Sequence, residues 1–494
     1  MVYRLSWRPN GDGLDVALAA NRLLARGIAV RWIQSPVASL EAGDYLLDCT
    51  AEIADTLNRQ NLQVEPWAEA LPDDTLELAY PRIALLAGNV SAYPYFGFYA
   101  LGLVRLGLGY RSVDGAAIAS GSLSECNLLV LPGGFAIWGL DAGENAPGAD
   151  AAVRRFIDRD GACLGSCGGA FYLSSGRPGW TGTAPVKPRY THEYLQTGAA
   201  VTEIDLIDHP LATGLPASVE VPYYHGPVYP ADDAMSAPHD SVQGVERVAT
   251  FGDVCLPSRL MIDNPLDATR YRDEIAGRAA ILTTDGPRGR AVLFSPHPEM
   301  GDLVRKYIAL DGYVRRYLPV RGERVMQDTL NHYRPLESPA FRLLLNAAHI
   351  LARPGSRHGQ LQRTAAPVDF ADGVEALDDR INTCLSSTSR RTEGMDDELI
   401  RTEADKLSAR VTPALTALRA ALAALRQRDD NESRLLLNAW NHAAGSAIDA
   451  FERSTASDAS AAEVLMEAEL AISLADAWSH LGEFELALPP CDEG

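Results

Sequence analysis

A chain of 494 residues is too long for one ordinary hydrophobic core, so two or three domains are expected, and an apolar fraction of 47% is ample to fill them. With 65 acidic against 44 basic residues the formal charge is −21, which repels phosphate backbones and anionic lipid and argues against nucleic acid or a membrane as a partner. No window approaches the roughly 18 uninterrupted apolar residues of a membrane span, and MVYRLSWRPNGDG lacks a signal peptide's apolar centre, so a soluble, cytoplasmic protein is expected.

Residues 1–80 read as a small α+β domain. YRLSWRP is a strand, GLDVALAANRLLARG an amphipathic helix ending at a glycine, and IAVRWIQS a second strand; DYLLDCT, EIADTLNRQN and LQVEPWAE repeat strand, helix, strand. That β-α-β-β-α-β order is the split-βαβ pattern, and it contains no recognisable catalytic cluster. Pro72 to Pro81 reads as the connection onward.

Residues 81–352 alternate strands with helices, the pattern of an α/β domain with a mostly parallel sheet. RIALLAGN is a near-continuous apolar run, as expected of a strand covered on both faces. Helical YFGFYALGLVRLG follows, then strand NLLVLPGG, helix DAAVRRFIDRDG, strand ACLGSC and helix GGAFYLSS. Arg177 to about Pro230 reads as a long irregular surface segment, before strands RAAILTTD and RAVLFSPHPE and the helix SPAFRLLLNAAHILARP. Residues 353–370 read as a linker. Residues 371–485 read as an all-α bundle of three or four helices, with stripes at Leu415, Leu418, Leu422 and Leu425 and at Val464, Ala468, Ala471, Ala475 and Trp478. These stripes either bury each other or present a docking surface to another protein.

The chemistry centres on Gly165-Ser166-Cys167-Gly168-Gly169. G-x-C-x-G is the cysteine form of the strand-to-helix nucleophile elbow, whose small neighbours let a strained turn project the side chain above the sheet. The N-terminal end of the next helix would favour thiolate over thiol; a buried structural cysteine is the alternative. A thiol nucleophile needs a base and a group to orient it. His297 and Glu299 in Ser295-Pro296-His297-Pro298-Glu299 offer both, expected on one side of an extended backbone. Gly133 and Gly134, ending the strand LVLPGG, and Gly168 could direct backbone N–H groups at an oxyanion. All of these lie at strand ends of a parallel sheet, outside whose carboxyl ends ligands bind.

GSCGG, the upstream PGG and the downstream SPHPE, in that order, resemble the class I glutamine amidotransferase-like superfamily; SCGGAF and VPYYHGPVY are most similar to the domain named after the N-terminal part of some biotin-protein ligases. The resemblance covers roughly Pro81 to Leu351. It implies a flavodoxin-like sandwich, a Cys167, His297, Glu299 triad, and Gly133, Gly134 and Gly168 near the oxyanion. One departure is Phe171, which stands where glutamine-hydrolysing members usually carry a glutamine. Phe171 is therefore assigned to the substrate pocket with Tyr223, Tyr224 and His225, and the aromatic run Tyr93, Tyr95, Phe96, Phe98 and Tyr99 either lines the same pocket or packs in the core or loops.

Three functions follow as expectations. The first is a cysteine-dependent amide hydrolase or glutamine amidotransferase-like enzyme working through a thioester on a small amide or peptide, with ammonia passed to a partner synthetase docked on the helical region. The second is a catalytically inactive binding or scaffold protein, and the third a cysteine peptidase of the same fold. Seven irregularly spaced cysteines give neither a disulfide framework nor metal ligands, and they are expected to be reduced. His192, His209, His239, His442 and His480 lack metal-ligand spacing, and Gly11-Asp12-Gly13 lacks a phosphate-loop context, so no metal or other cofactor is assigned.

Overall fold

The computed structural model describes residues 1–7, 13–72, 75–88, 95–134, 138–189, 197–229, 244–317, 339–353, 370–391, 398–428, 430, 432–441, 444 and 459–489. Strands β1 (Val2–Leu5), β2 (Val30–Ile33), β3 (Tyr45–Asp48), β4 (Val64–Pro66) and β5 (Thr75–Glu77) form an N-terminal sheet in the order β4-β1-β3-β2-β5, with every pairing antiparallel. Helices Leu14–Ala25 and Ala51–Arg59 make the two crossings. The second starts at Thr50, whose side chain accepts from the Ile53 N–H, as a good N-cap does. Strand β5 lies within the stretch read from the sequence as a connection.

The central sheet contains β6 (Ile83–Leu86), β7 (Tyr110–Val113), β8 (Leu128–Leu131), β9 (Ala162–Ser166), β10 (Ala199–Leu206), β11 (Ser218–Tyr224), β12 (Val245–Pro257), β13 (Ala279–Gly286) and β14 (Gly289–Phe294). Their order is β11-β10-β12-β13-β14-β9-β8-β6-β7. The run from β14 to β7 is parallel, and the run from β11 to β14 is antiparallel. The antiparallel extension corrects the reading of Arg177 to Pro230 as irregular. Strands β10 and β11 lie there, because residues 199–206 and 218–224 bury alternate or consecutive apolar side chains, with β11 at the sheet edge and β10 paired on both sides.

Alternation places the sheet between two layers. Ile83, Leu85, Leu128, Val130, Leu164 and Phe294 join one apolar cluster, and Ala84, Leu86, Leu129, Leu131, Cys163 and Leu293 join another, as a period of two requires. Helix Tyr95–Arg105 and helix Pro339–Leu351 cover the first face; helix Ala149–Asp158 and helix Gly168–Leu173 cover the second. No described helix is long and apolar enough to cross a membrane.

The C-terminal region contributes helices Ala371–Arg391, Glu398–Arg428 and Ala461–Ala487, with 432–441 also helical. The leucine stripe Leu415 to Leu425 and the residues Val464 to Trp478 singled out above are all buried. Helix Ala461–Ala487 opens on a capping box between Ser460 and Glu463, which satisfies two otherwise orphaned donors. It packs on helices Tyr95–Arg105 and Gly301–Tyr317 as well as on its own bundle. Glu469 accepts from Lys306 Nζ (2.6 Å) and Tyr307 Oη (2.6 Å), and Glu485 from Arg22 Nε (3.0 Å). One apolar cluster accordingly runs from Tyr3 to Leu488 through all three regions. The stretch expected as a linker falls, but for Arg353 and Phe370, outside the described residues.

Candidate active site

Strand β9 ends at Ser166 and the short helix begins at Gly168, leaving Cys167 between them at φ 48° and ψ −105°. Such a backbone is strained for any residue with a Cβ and persists only where its surroundings impose it. The flanking glycines are that surrounding. A Cβ on Gly169 would lie 2.1 Å from the Leu131 carbonyl oxygen, and one on Gly165 would lie 2.7 Å from the Gly169 carbonyl carbon. The helix therefore crosses β8 and β9 closer than any side chain allows. Cys167 N–H donates to Phe294 O at 2.9 Å, which ties the elbow to the end of β14.

The parallel register of β14 on β9 pairs Phe294 with Ser166, so the residues after Phe294 rise beside the elbow. His297 and Glu299 meet across a 3-10 turn, Pro298–Met300, and not along the extended backbone expected from the sequence. Proline's fixed φ and missing N–H suit the first position of that turn. His297 Nδ1 lies 2.7 Å from Glu299 Oε1, both side chains fully buried. The Tyr95 ring stacks on the imidazole (centroids 4.8 Å apart, 21° between planes), and the Tyr224 ring meets it edge-on at 6.0 Å. Gly133 completes the enclosure, since a Cβ there would lie 2.4 Å from His297 Cε1.

Burial opposes a charge on His297, yet the Glu299 carboxylate and the Cys167 sulfur outweigh it and push the imidazole up to about 10. Nε2 is buried and has no hydrogen-bond partner among the described residues. The Cys167 thiol, almost fully buried, donates to the Tyr224 carbonyl at 3.2 Å. Cys163 lies four residues earlier, inside β9. Burial alone pushes its thiol up to about 12, with no charge to offset it.

Of the other residues singled out, Gly134 takes φ 67° beside Gly133 at the carboxyl end of β8, and Gly168 opens the elbow helix, where first-turn N–H groups have no intrahelical acceptor. Phe171 is buried with its ring 5.8 Å from that of Trp180. Tyr223 donates to Gly226 O (3.0 Å), and Tyr224 Oη lies 3.1 Å from Ser258 Oγ. His225, at φ 52°, accepts on Nδ1 from the Gly198 N–H (3.1 Å). The structure thus brings Cys167, His297, Glu299, Gly133, Tyr95 and Tyr224 together, while Phe171, Tyr223 and His225 engage partners of their own. Phe96 and Phe98 are buried in the apolar cluster. Tyr93, His192, His239 and His442 lie outside the described residues. His209 caps a 3-10 turn by accepting from Leu211 N–H, and His480 lies 2.9 Å from Asp15 Oδ1. Among the described residues no group of acidic, histidine or cysteine side chains could hold a metal ion, and the described cysteines are free thiols.

The sequence reading missed the role of Ser166 and gave Tyr99 only as a pocket candidate. Ser166 donates to Glu299 Oε2 at 2.9 Å, and the Tyr99 hydroxyl hydrogen-bonds to Ser166 Oγ. Ser166 stood inside the elbow motif, but only as a small neighbour of the cysteine.

No family model and no curated protein matches the chain. Among solved structures, the chain is similar to a glutamine amidotransferase of Thermotoga maritima at 14% identity, covering 54% of this chain and 97% of that one with a TM-score of 0.33. A cytoplasmic protein of Salmonella typhimurium is similar at 9% identity, covering 55% of this chain and 99% of that one with a TM-score of 0.29. A β-galactosidase of Bacillus circulans is similar at 12% identity, covering 44% of this chain and 28% of that one with a TM-score of 0.25.

Proposed function

We propose that this chain is a cysteine-dependent amide hydrolase of the glutamine amidotransferase-like type, acting on a small amide or peptide through a Cys167, His297, Glu299 triad. The observation that carries the reading is the buried His297–Glu299 pair at 2.7 Å, its Nε2 left without a partner beside a cysteine held in a strained elbow. In the reaction, His297 takes the Cys167 proton and the sulfur attacks the amide carbonyl carbon. Collapse of the tetrahedral adduct breaks the C–N bond, and His297 returns the proton to the leaving amine. Water then attacks the thioester carbonyl, giving the acid and restoring the thiol. Gly133, Gly134 and Gly168 are the candidate oxyanion donors. The resemblance of SCGGAF and VPYYHGPVY to the biotin-protein-ligase type belongs to this proposal, as does transfer of the released ammonia to a partner synthetase.

A second reading, a binding protein without turnover, is favoured by one observation. The Cys167 thiol donates to the Tyr224 carbonyl at 3.2 Å, a contact that a buried structural cysteine would also make. Labelling with an electrophilic glutamine analogue and with iodoacetamide across pH separates the two. For the enzyme, Cys167 reacts rapidly below pH 7, and His297→Ala lowers the rate by about 100-fold or more, the usual weight of a positioned base. A Cys167 that reacts no faster than an unfolded-chain thiol, with His297→Ala unchanged, leaves the binding protein standing.

A further inference from the structure

Glu299 orients His297, and Glu299 is itself held. Its Oε1 takes the imidazole at 2.7 Å and its Oε2 takes the Ser166 hydroxyl at 2.9 Å, while Tyr99 closes on that same hydroxyl. All four side chains are buried, three of them without measurable exposure of the residue and Tyr99 likewise at 0%. The directions of the protons follow from the donor inventory. A carboxylate only accepts, so Ser166 gives its one proton to Glu299, and Tyr99 must then be the donor to Ser166. Burial and the charge of Glu299 push the Tyr99 phenol well up, which keeps that proton in place.

We propose that Ser166 and Tyr99 are positioning residues: a Tyr99–Ser166–Glu299 chain holds the carboxylate so that His297 keeps a proton on Nδ1 and exchanges one with Cys167 only through Nε2. The proposal rests on the reading of Cys167 as the nucleophile. The chain spans three elements. Tyr99 comes from helix Tyr95–Arg105, Ser166 from the last position of β9, and Glu299 from the turn after β14. It approaches the imidazole from the side opposite its free nitrogen. The groups that face the imidazole are Glu299, Cys167 and the rings of Tyr95 and Tyr224, so no described Lys, Arg or further carboxylate in these contacts competes for its charge.

The signs are definite. Without the Ser166 hydroxyl no described group holds the Glu299 carboxylate in line with Nδ1, so the pair with the imidazolium loosens and the His297 titration point falls. A weaker imidazolium stabilises the thiolate less, so alkylation of Cys167 shifts to higher pH. The test is made on the full chain in two forms. In a Cys167→Ala background with ¹⁵N-histidine, the His297 ring is followed by NMR in Ser166→Ala and Tyr99→Phe. With Cys167 intact, the pH profile of iodoacetamide labelling is followed in the same variants. We expect Ser166→Ala to lower the His297 midpoint by about one pH unit and to slow labelling near pH 6.5 about tenfold. Tyr99→Phe, which keeps the ring, moves both in the same direction by less. The double variant is no worse than Ser166→Ala alone, because Tyr99 acts only through that hydroxyl.

Folded variants with an unmoved His297 midpoint, or effects of the two substitutions that simply add, overturn the chain. Should Ser166→Ala fail to fold, the near-isosteric Tyr99→Phe decides by the same readouts. A midpoint that moves as expected while wild-type Cys167 reacts like an ordinary thiol supports the chain and sinks the proposed nucleophile, so the two failures are told apart.

Discussion

Gly169→Ala is the sharpest test of how the elbow is built. The added Cβ would stand 2.1 Å from the Leu131 carbonyl oxygen and 2.7 Å from Leu131 Cβ. A normal contact needs about 3.2 Å, and the obstacle is strand backbone at the centre of a sheet, so the helix must retreat by about 1 Å. Overpacking of this kind costs about 1–3 kcal/mol. The same retreat carries Cys167, two residues away, out of line with His297, and a displacement near 1 Å is worth about 100-fold in rate. Urea unfolding and the labelling rate of Cys167 measure the two effects. Gly312→Ala is the control, since nothing lies within 4 Å of its would-be Cβ and it sits inside helix Gly301–Tyr317. There alanine is expected to stabilise by about 0.5–1 kcal/mol. A Gly169→Ala protein as stable as wild type, and labelled as fast, refutes the claim that close helix–strand approach sets the nucleophile.

Lys306→Met tests the join between the central domain and the helical region. Lys306 is buried between Glu403 and Glu469, and its removal leaves each carboxylate with one half-exposed cation, Lys406 and Arg410 respectively, for an expected loss of about 1.5–3 kcal/mol in urea unfolding. A loss below about 1 kcal/mol would show that packing alone makes the join. His349 offers a pH test. Burial, helped by Arg342, pushes its imidazole down to about 3, and Nε2 lies 3.1 Å from Asn21 Oδ1. Its neutral form thus contributes stability that is intact above its ordinary value near 6.5 and is lost as pH falls from there toward 3. His349→Leu should therefore gain on wild type by up to about 1.4 kcal/mol per pH unit over that window. A difference that stays constant with pH would show that this imidazole does not titrate with folding.

Much of the architecture was legible because its causes are local. The run IALL is apolar at every position, and in the sheet Ile83 and Leu85 face one layer while Ala84 and Leu86 face the other. Heptad-like spacing placed Leu415 to Leu425 on a buried stripe. The missed elements include the edge strands β5 and β11 and the interior strands β10 and β12. β5 is three residues long, and β10 and β11 sit in a proline-rich stretch where sheet pairing overrides weak local preference. The His297–Glu299 pair was legible as a pair, but its geometry was not. Pro298 begins a tight turn, so proximity comes from a bend and not from an extended backbone.

The sequence by itself determined which groups could do chemistry: a cysteine among glycines at a strand end, and a histidine with a carboxylate two positions on. Those follow from residue type and short-range spacing. Only the tertiary structure decided what those groups face. Ser166 and Tyr99 lie 67 positions apart, and Ser166 and Glu299 lie 133 apart. Contacts at such separations are set by strand order and register, which no local periodicity encodes. The helical region shows the same division. Its stripes were readable, but their packing into one apolar cluster with the other two regions, beside the ion pairs of Glu469 with Lys306 and Glu485 with Arg22, is set across the folded chain.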